Sequence, residues 1–448
     1  MYHIIMDNFA GKYCVITYGC QMNLHETEKI AGILSDMGYT SSESENDADI
    51  IVFNTCCIRE NAEERAEGNI GALKQLKKRK KDLIIAVGGC MTQQKGYAES
   101  LYEKFPFIDI IFGTFNLENF KELLTKKLSQ KKHVTEILSS SKIIENTPKK
   151  RNSFPNAWVN IAYGCDNFCT YCIVPYVRGR ERSRKEQDIL IECESLVKSG
   201  YKEITLLGQN VNSYGKDTGT DFPTLLKKVA EIDEKFRIRF MTNHPKDLSD
   251  KLIETIKGTP KICRSIHLPV QSGSNRILSL MNRKYTREDY FSLVDKLRSS
   301  IPDIAITTDI MVGFPTENEE DFYDTFDLMK KVGFAGAFTF IYSKRSGTAA
   351  AKMDGQIPPE ISKERIMKLI NYQNAFNRKM SKNYKGKTVE ILCEGYDKKK
   401  DKFLGRDEFG RMAYFNGKND YIGKFLQVKI IETGGISLLG EVVSGENI

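Results

Sequence analysis

Apolar and polar positions follow three rhythms along this chain. Near the start, short runs rich in β-branched residues recur at 13–17, 49–53 and 83–87. Each ends in a turn that closes on a cysteine: Tyr18-Gly19-Cys20, Asn54-Thr55-Cys56 and Gly88-Gly89-Cys90. Helical periodicity fills about 24–37 and about 59–78. Strand, loop, helix and strand again predicts βαβ units and a parallel sheet. From 157 to about 343, apolar strands at 158–163, 203–207, 237–241, 265–269, 305–311 and 337–342 alternate with helical segments. These repeats are too few for an eightfold barrel and predict an open, partial (β/α)6 barrel with its chemistry at the carboxyl ends of the strands. A helix over about 358–383 leads into five short strands at 387–394, 402–406, 412–415, 425–432 and 437–443, which predict a small OB-like β-barrel. Residues 133–155, broken by Ser139, Ser140, Ser141, Thr147, Pro148, Asn152 and Pro155, read as a linker. The expected fold class is therefore α/β: an N-terminal parallel-sheet domain over 12–130, a central partial barrel over 151–383 and a small C-terminal β-barrel over 384–447.

Composition narrows the setting. With 448 residues, 40% hydrophobic and 28% charged, the chain reads as a globular protein. The first residues do not form a basic stretch followed by an apolar core, and no apolar run is long enough to span a bilayer. A cytoplasmic location is expected, and there the eleven cysteines serve as metal ligands or catalysts rather than in disulfides. The net charge of +8 permits an RNA partner without requiring one. Positive charge gathers at 77–81, at 126–132 and at 149–151, where runs of this kind are ordinarily solvated faces. It gathers again at Arg178, Arg180, Arg182, Arg184 and Lys185. This last group is the candidate RNA-phosphate surface, because guanidinium forks suit phosphate.

The chemistry lies in the cysteines. Cys165, Cys169 and Cys172 form a C-x3-C-x2-C run that can hold three irons of a 4Fe–4S cluster. The next cysteine, Cys193, falls inside a predicted helix, so one iron is left for a ligand that is not a cysteine. A zinc site would pair C-x2-C with a second such pair, and none is present. Cys20, Cys56 and Cys90 each follow a strand of one predicted parallel sheet, where ligands collect beyond the carboxyl ends. They are candidates for a second three-thiolate cluster; the plainer alternative is scattered buried thiols. That plainer reading is preferred for Cys14, Cys193, Cys263 and Cys393. Polar loops at Gly208-Gln209-Asn210, Asn243-His244-Pro245, Gln271-Ser272-Gly273 and Gly313-Phe314-Pro315 follow barrel strands. Each alone would be a turn or cap; together they ring the expected site. His244 and His267 read as loop or core histidines. Tyr414, Phe415, Tyr421 and Phe425 could stack bases but are better read as barrel core.

Taken in order, several segments resemble the radical S-adenosylmethionine (SAM) methylthiotransferase family. They are Thr17-Tyr-Gly-Cys-Gln-Met-Asn23, Asn54-Thr-Cys-Cys-Ile-Arg-Glu-Asn-Ala62, Gly88-Gly-Cys-Met91, the 165–172 loop, Leu206-Leu-Gly-Gln-Asn-Val-Asn-Ser-Tyr214, His267-Leu-Pro-Val-Gln-Ser-Gly273 and Thr308-Asp-Ile-Met-Val-Gly-Phe-Pro315. The resemblance spans about 12–443. It implies two 4Fe–4S clusters, with SAM bound at the open iron of the Cys165/Cys169/Cys172 set and Tyr171 near its adenine. Gln209, Asn210, Ser272 and Gly313 are further candidate SAM contacts, chosen by loop position. The resemblance also identifies the C-terminal barrel as a TRAM domain that touches the substrate. A one-electron donor such as flavodoxin or ferredoxin is implied, and a monomer is expected.

The 54–62 and 209–214 segments resemble the branch that methylthiolates carbon 2 of N(6)-dimethylallyladenosine at position 37 of tRNA. Sibling branches act on threonylcarbamoyl-adenosine in tRNA or on a ribosomal protein. A non-catalytic iron–sulfur RNA-binding protein is the alternative from another class. The unactivated C–H bond at carbon 2 calls for radical chemistry. A SAM-derived radical would remove the hydrogen, and the Cys20/Cys56/Cys90 cluster would present sulfur, methylated by another SAM. Cys57 departs from the family pattern and could substitute for Cys56.

Overall fold

In the computed structural model, the apolar runs Ile50–Thr55 and Ile84–Gly89 are buried at every position, as strands covered on both faces must be. The structure describes residues 11–57, 60–140, 142–145 and 147–445. The chain divides into two compact units. One comprises the residues up to 152 with 163–166 and 172–181, and the other comprises 153–162, 167–171 and 182 onward.

In the first unit the elements run β1 (Lys12–Thr17), α1 (Gln21–Asp36), β2 (Thr40–Ser41), β3 (Ile50–Thr55), α2 (Glu60–Arg79), β4 (Ile84–Gly89), α3 (Tyr97–Lys104), β5 (Ile110–Phe112), α4 (Phe120–Gln130) and β6 (Val134–Glu136). The sheet order is β2-β1-β3-β4-β5-β6, and every pair is parallel. Alternate residues serve opposite faces. Ile50, Val52, Ala86 and Ile110 pack with Ile30, Leu34, Phe120 and Leu123 from α1 and α4. Ile51, Phe53, Ile85 and Val87 pack with Ala66, Ile70, Leu73 and Leu101 from α2 and α3. Strands β2, β5 and β6 were not expected from the sequence; two or three residues are too few to establish a period.

The segment read as a linker is not free chain. It begins with β6, whose Val134 and Thr135 pair with Ile110 and Ile111. Farther on, the Lys150 amide donates to the Glu28 carbonyl (2.9 Å) and the Arg151 guanidinium pairs with the Glu28 carboxylate (2.9 Å).

The second unit carries six parallel barrel strands in two sets. Asn156–Asn160, Glu203–Leu207 and Arg237–Phe240 form one, and Ser265–His267, Ala305–Val312 and Gly336–Ile341 form the other. A parallel bridge from Ile238 to Ile262 lies where the two sets adjoin. The first strand starts and ends earlier than the expected 158–163. Helix starts are capped by side chains: Asp221, Ser249, Thr286 and Asn318 each accept from a backbone amide three residues on.

Helix Pro359–Ser381 leads to a closed five-stranded barrel: Thr388–Asp397, Lys402–Arg406, Met412–Phe415, Phe425–Thr433 and Ser437–Gly445. Phe415, Tyr421, Leu426, Val428 and Ile430 form its core and Phe425 is buried, while Tyr414 is half-buried with the Lys400 ammonium over its ring. Core packing is thus the role of Phe415 and Tyr421, whereas the Phe425 ring lies under the Lys235 and Arg237 cations.

This barrel is held to the strand starts of the same unit by a buried carboxylate. Glu203, fully buried, accepts from Arg239 (2.8 Å) and from Arg406 (3.2 Å). Arg239 also donates to the carbonyls of Asp407 and Glu408. Removing one partner of a buried pair costs about 3–5 kcal/mol, because the remaining charge is left without compensation. Glu203→Ala is therefore expected to destabilise this unit by an amount in that range, with Glu203→Gln milder. Urea denaturation measures it, and an unchanged midpoint in Glu203→Ala would contradict the role given to this carboxylate.

Candidate metal centres

Three adjacent strands of the first sheet end together. Thr17 pairs with Asn54, and Thr55 with Gly89, so the residues that follow share one edge. Cys20 caps the start of α1, Cys56 directly follows β3, and Cys90 directly follows β4 with its amide bonded to the Thr55 carbonyl (3.0 Å). Gly19 makes the crowding possible. Its φ is +123°, and a Cβ there would stand 2.5 Å from Cys56 Cβ and 2.9 Å from Cys56 Sγ. Asn23 ties the loops together, donating to the carbonyls of Tyr18 (3.0 Å) and Thr55 (2.9 Å) while its own oxygen faces Cys20 Sγ (3.6 Å).

Sequence reasoning placed Arg178 on an RNA surface. It lies inside, 5% exposed. Its Nε donates to Cys90 Sγ (3.2 Å), and its terminal nitrogens donate to both Glu26 carboxylate oxygens (2.5 and 3.1 Å) and to Asn23 Oδ1 (3.1 Å). The reason is charge: a cation among thiols and a carboxylate has its counter-ions there. Cys57 packs with Cys90, Ile173 and Val177. A hydrogen bond from the Cys57 thiol, together with the Arg178 charge, holds the Cys90 thiol below its ordinary range against burial. The same bond and burial push Cys57 well up. Burial pushes Cys20 up, with Arg178 opposing. The donor set, two cysteine thiols beside a buried cation and a third on the same edge, fits an anionic thiolate-bound cluster.

The 165–172 loop also starts on a glycine under constraint. Gly164 has φ +76°, and a Cβ there would lie 2.1 Å from the Arg180 carbonyl oxygen. The Cys165 amide bonds to the Gly179 carbonyl (3.2 Å). Cys165 and Cys172 are half-buried and Cys169 is buried. Thr170 is fixed by the carbonyls of Leu280 and Met281 (2.8 and 3.1 Å). Arg283, which sequence reasoning missed, donates to Cys169 Sγ at 3.5 Å. It belongs to no motif, and its tie to the loop is purely spatial. Among the described residues no three Cys, His, Asp or Glu side chains stand at the spacing of ligands to one metal ion; thiolates that hold separate irons of a cube have no need to.

Strain and orphaned polar atoms mark the carboxyl ends of the barrel strands. Phe168, Thr242, Gln271 and Thr316 have φ of 46°, 68°, 69° and 69° although none is glycine. Both side-chain polar atoms of Asn160, Asn243 Oδ1, His244 Nε2 and the Tyr342 hydroxyl are buried without a protein partner. Such atoms at one end of a barrel fit a polar cofactor such as SAM. Tyr171 packs on the cluster of Phe314, Tyr342 and Ala350.

Of the other expected SAM contacts, Asn210 and Ser272 are committed within their loops. Asn210 bonds Asp247 and the His244 amide (2.7 and 3.1 Å), and Ser272 meets Thr325 (3.1 Å). Gly313 has φ +73° and no room for a Cβ beside Ser362, while Gln209 is half-buried. His244 is neutral: burial, with Arg283, Lys246 and Lys216 adding, pushes it down to about 2. His267 meets Thr307 (3.0 Å) and lies 3.5 Å from Asp309.

Of the remaining basic residues, Arg184 is buried against the Asn160 carbonyl and Glu192 (2.7 and 2.8 Å), again because a carboxylate awaits it inside. Arg180 and Lys185 are exposed and Arg182 is half-buried. All eleven cysteines are free thiols, and burial pushes Cys263 and Cys393 up to about 12, in keeping with inert core roles.

Residues 12–113 match the model of an uncharacterized protein family, UPF0004; 159–329 match the radical SAM superfamily; and 382–443 match the TRAM domain. Two relatives are tRNA-2-methylthio-N(6)-dimethylallyladenosine synthases. That of Thermoanaerobacter pseudethanolicus is 52% identical over 446 residues, covering 98% of this chain and 95% of its own. That of Clostridium perfringens is 52% identical over 438 residues, covering 96% and 97%. The chain belongs to their family, the radical SAM methylthiotransferases. In fold it is similar to a radical SAM methyltransferase of Kitasatospora setae, with a TM-score of 0.58 over 77% of each chain at 13% identity. Were Cys20, Cys56 and Cys90 to hold a cluster, Gly19→Ala would be expected to disturb it by displacing Cys56. It should lower the iron bound by that set while leaving far-ultraviolet circular dichroism unchanged. Full iron retention in Gly19→Ala would contradict the convergence of these loops.

Proposed function

We infer that this protein methylthiolates carbon 2 of N(6)-dimethylallyladenosine at position 37 of tRNA. The pairing, in one chain of this family, of the 165–172 loop with three further cysteines at the ends of adjacent strands supports the methylthio transfer, and the 52% identity to dimethylallyladenosine synthases over nearly the full length supports the substrate. A radical SAM methyltransferase that moved only carbon would have no use for the second set. We assign the sheet domain to 12–130, the radical SAM core to 151–383 and the TRAM domain to 384–447.

A radical SAM cluster with its SAM supplies hydrogen abstraction from an unactivated C–H bond. Cys165, Cys169 and Cys172 would hold three irons of that cluster and leave the fourth to SAM. Tyr171, which packs on the apolar cluster that contains Tyr342, would line the adenine side. Asn160, Asn243 and His244 offer buried polar atoms to SAM or to the target base, and the neutral imidazole of His244 can donate without adding charge. Cys20, Cys56 and Cys90 would hold a second 4Fe–4S cluster that carries the sulfur, with Asn23 and Arg178 fixing its thiolates. Arg180 and Lys185, both exposed, are the candidates for phosphate contacts around an anticodon loop, whose bases are easily splayed. A one-electron donor of the flavodoxin or ferredoxin kind, a monomeric state and a cytoplasmic location complete the proposal. Among the described residues no helix is long and apolar enough to cross a membrane.

Cys165→Ala is expected to abolish SAM cleavage. Cys20→Ala should still form 5′-deoxyadenosine but yield no methylthio product, and anaerobic assays with dithionite read both. Mass spectrometry of tRNA nucleosides from cells lacking the protein should show loss of methylthio-dimethylallyladenosine and build-up of dimethylallyladenosine. Loss of methylthio-threonylcarbamoyl-adenosine instead would transfer the assignment to the sibling branch.

A further inference from the structure

In each cysteine set a buried arginine donates to a sulfur, Arg178 in one and Arg283 in the other, and the two differ in the partners that meet their charge. Arg178 and Arg283 are 5% and 6% exposed. Neither can shed its proton. Arg178 donates to Cys90 Sγ at 3.2 Å, but it also grips both oxygens of Glu26. Its charge is therefore cancelled at the point where it meets the thiolates. Arg283 donates to Cys169 Sγ at 3.5 Å, to the Pro269 carbonyl at 2.7 Å and, through Nε, to the Tyr285 hydroxyl at 2.9 Å, with the Tyr285 ring centroid at 5.1 Å. None of these partners is a carboxylate. The nearby cations Lys216 and Lys246 share Asp247 at 3.0 and 3.9 Å and are exposed to solvent, and His244 is neutral, so Arg283 is the buried cation at the Cys169 sulfur.

Net charge and hydrogen bonds to sulfur set how readily an iron–sulfur cluster takes an electron. Resting on the two-cluster reading above, we propose that Arg283, uncancelled, makes the cluster on Cys165, Cys169 and Cys172 the readier electron acceptor. Glu26, by cancelling Arg178, keeps the cluster on Cys20, Cys56 and Cys90 oxidised. One electron leaves a low-potential one-electron donor and enters at the SAM-binding side; no bond forms or breaks in that step. The sulfur-bearing side is thereby spared a competing reduction. Arg178 and Arg283 are positioning residues in this scheme, acting on the sulfurs that they contact.

The test is a potentiometric titration of the full-length protein followed by electron paramagnetic resonance. One cluster at a time is removed by triple Cys→Ala replacement, and iron content is measured alongside. In the protein that keeps the 165–172 set, Arg283→Gln should move the midpoint to more negative potential, and Arg283→Lys, which keeps the charge, should stay near the parent. In the protein that keeps the 20/56/90 set, Glu26→Gln should move the midpoint to more positive potential. An unshifted midpoint in Arg283→Gln with iron retained, or in Glu26→Gln, would overturn the proposal. If Arg283→Gln binds no iron, Arg283→Lys and Glu26→Gln decide: a large negative shift in the former or none in the latter overturns it. Failure of a triple-cysteine parent to hold its remaining cluster would instead defeat the cluster assignment.

Discussion

The parallel pairing of β1, β3 and β4 is the constraint on which the meeting of Cys20, Cys56 and Cys90 depends. Hydrogen-bonded parallel neighbours run the same way and finish at the same edge, so cysteines separated by more than thirty residues at each step arrive together. Burial on both faces fixes the register. A one-residue slip in β3 would carry Ile50 and Val52 from one core to the other and take Cys56 off its edge. What the strands bring together, side chains hold. Asn23 links the loop after β1 to the end of β3, and Arg178 reaches Cys90 while anchored on Glu26.

The second unit solves a different problem. Its strands are a packed scaffold, and the segments that leave their carboxyl ends carry the strain and the orphaned polar groups. Left-handed Phe168, Thr242, Gln271 and Thr316 are conformations that a stable core must over-determine, and the fully buried Ile204, Ile266 and Ile310 belong to that core. At the opposite ends of the same strands, Glu203 binds Arg239 and Arg406 and fastens the five-stranded barrel. Stability and chemistry thus occupy opposite ends of one set of strands, as in other barrels of parallel strands.

The readable parts of the fold were those whose chemistry is local in the chain. The Cys165–Cys169–Cys172 spacing, the cysteine closing each long apolar strand of the first sheet and the five strands after 384 all lie within short windows. The short strands Thr40–Ser41, Ile110–Phe112 and Val134–Glu136 escaped because they contain too few residues to show a period and are recruited by neighbours already in place. Arg178 was misplaced for another reason. Sequence gives its charge and its company of arginines, but burial against Glu26 and Cys90 is a property of distant segments meeting. Arg283 had no signal at all, since its contact with Cys169 spans 114 residues. Asn210 and Ser272 lie in loops after barrel strands, as expected, yet their side chains are spent on Asp247 and Thr325.

The central claim is that this chain carries two separate three-thiolate clusters. The most direct measurement is iron and acid-labile sulfide per chain, with Mössbauer spectra, in the anaerobically reconstituted protein and in its Cys20/Cys56/Cys90→Ala variant. The account predicts about eight irons in the first and about four in the second, all as 4Fe–4S. A native protein saturating at about four irons, or a variant retaining the full complement, would contradict it.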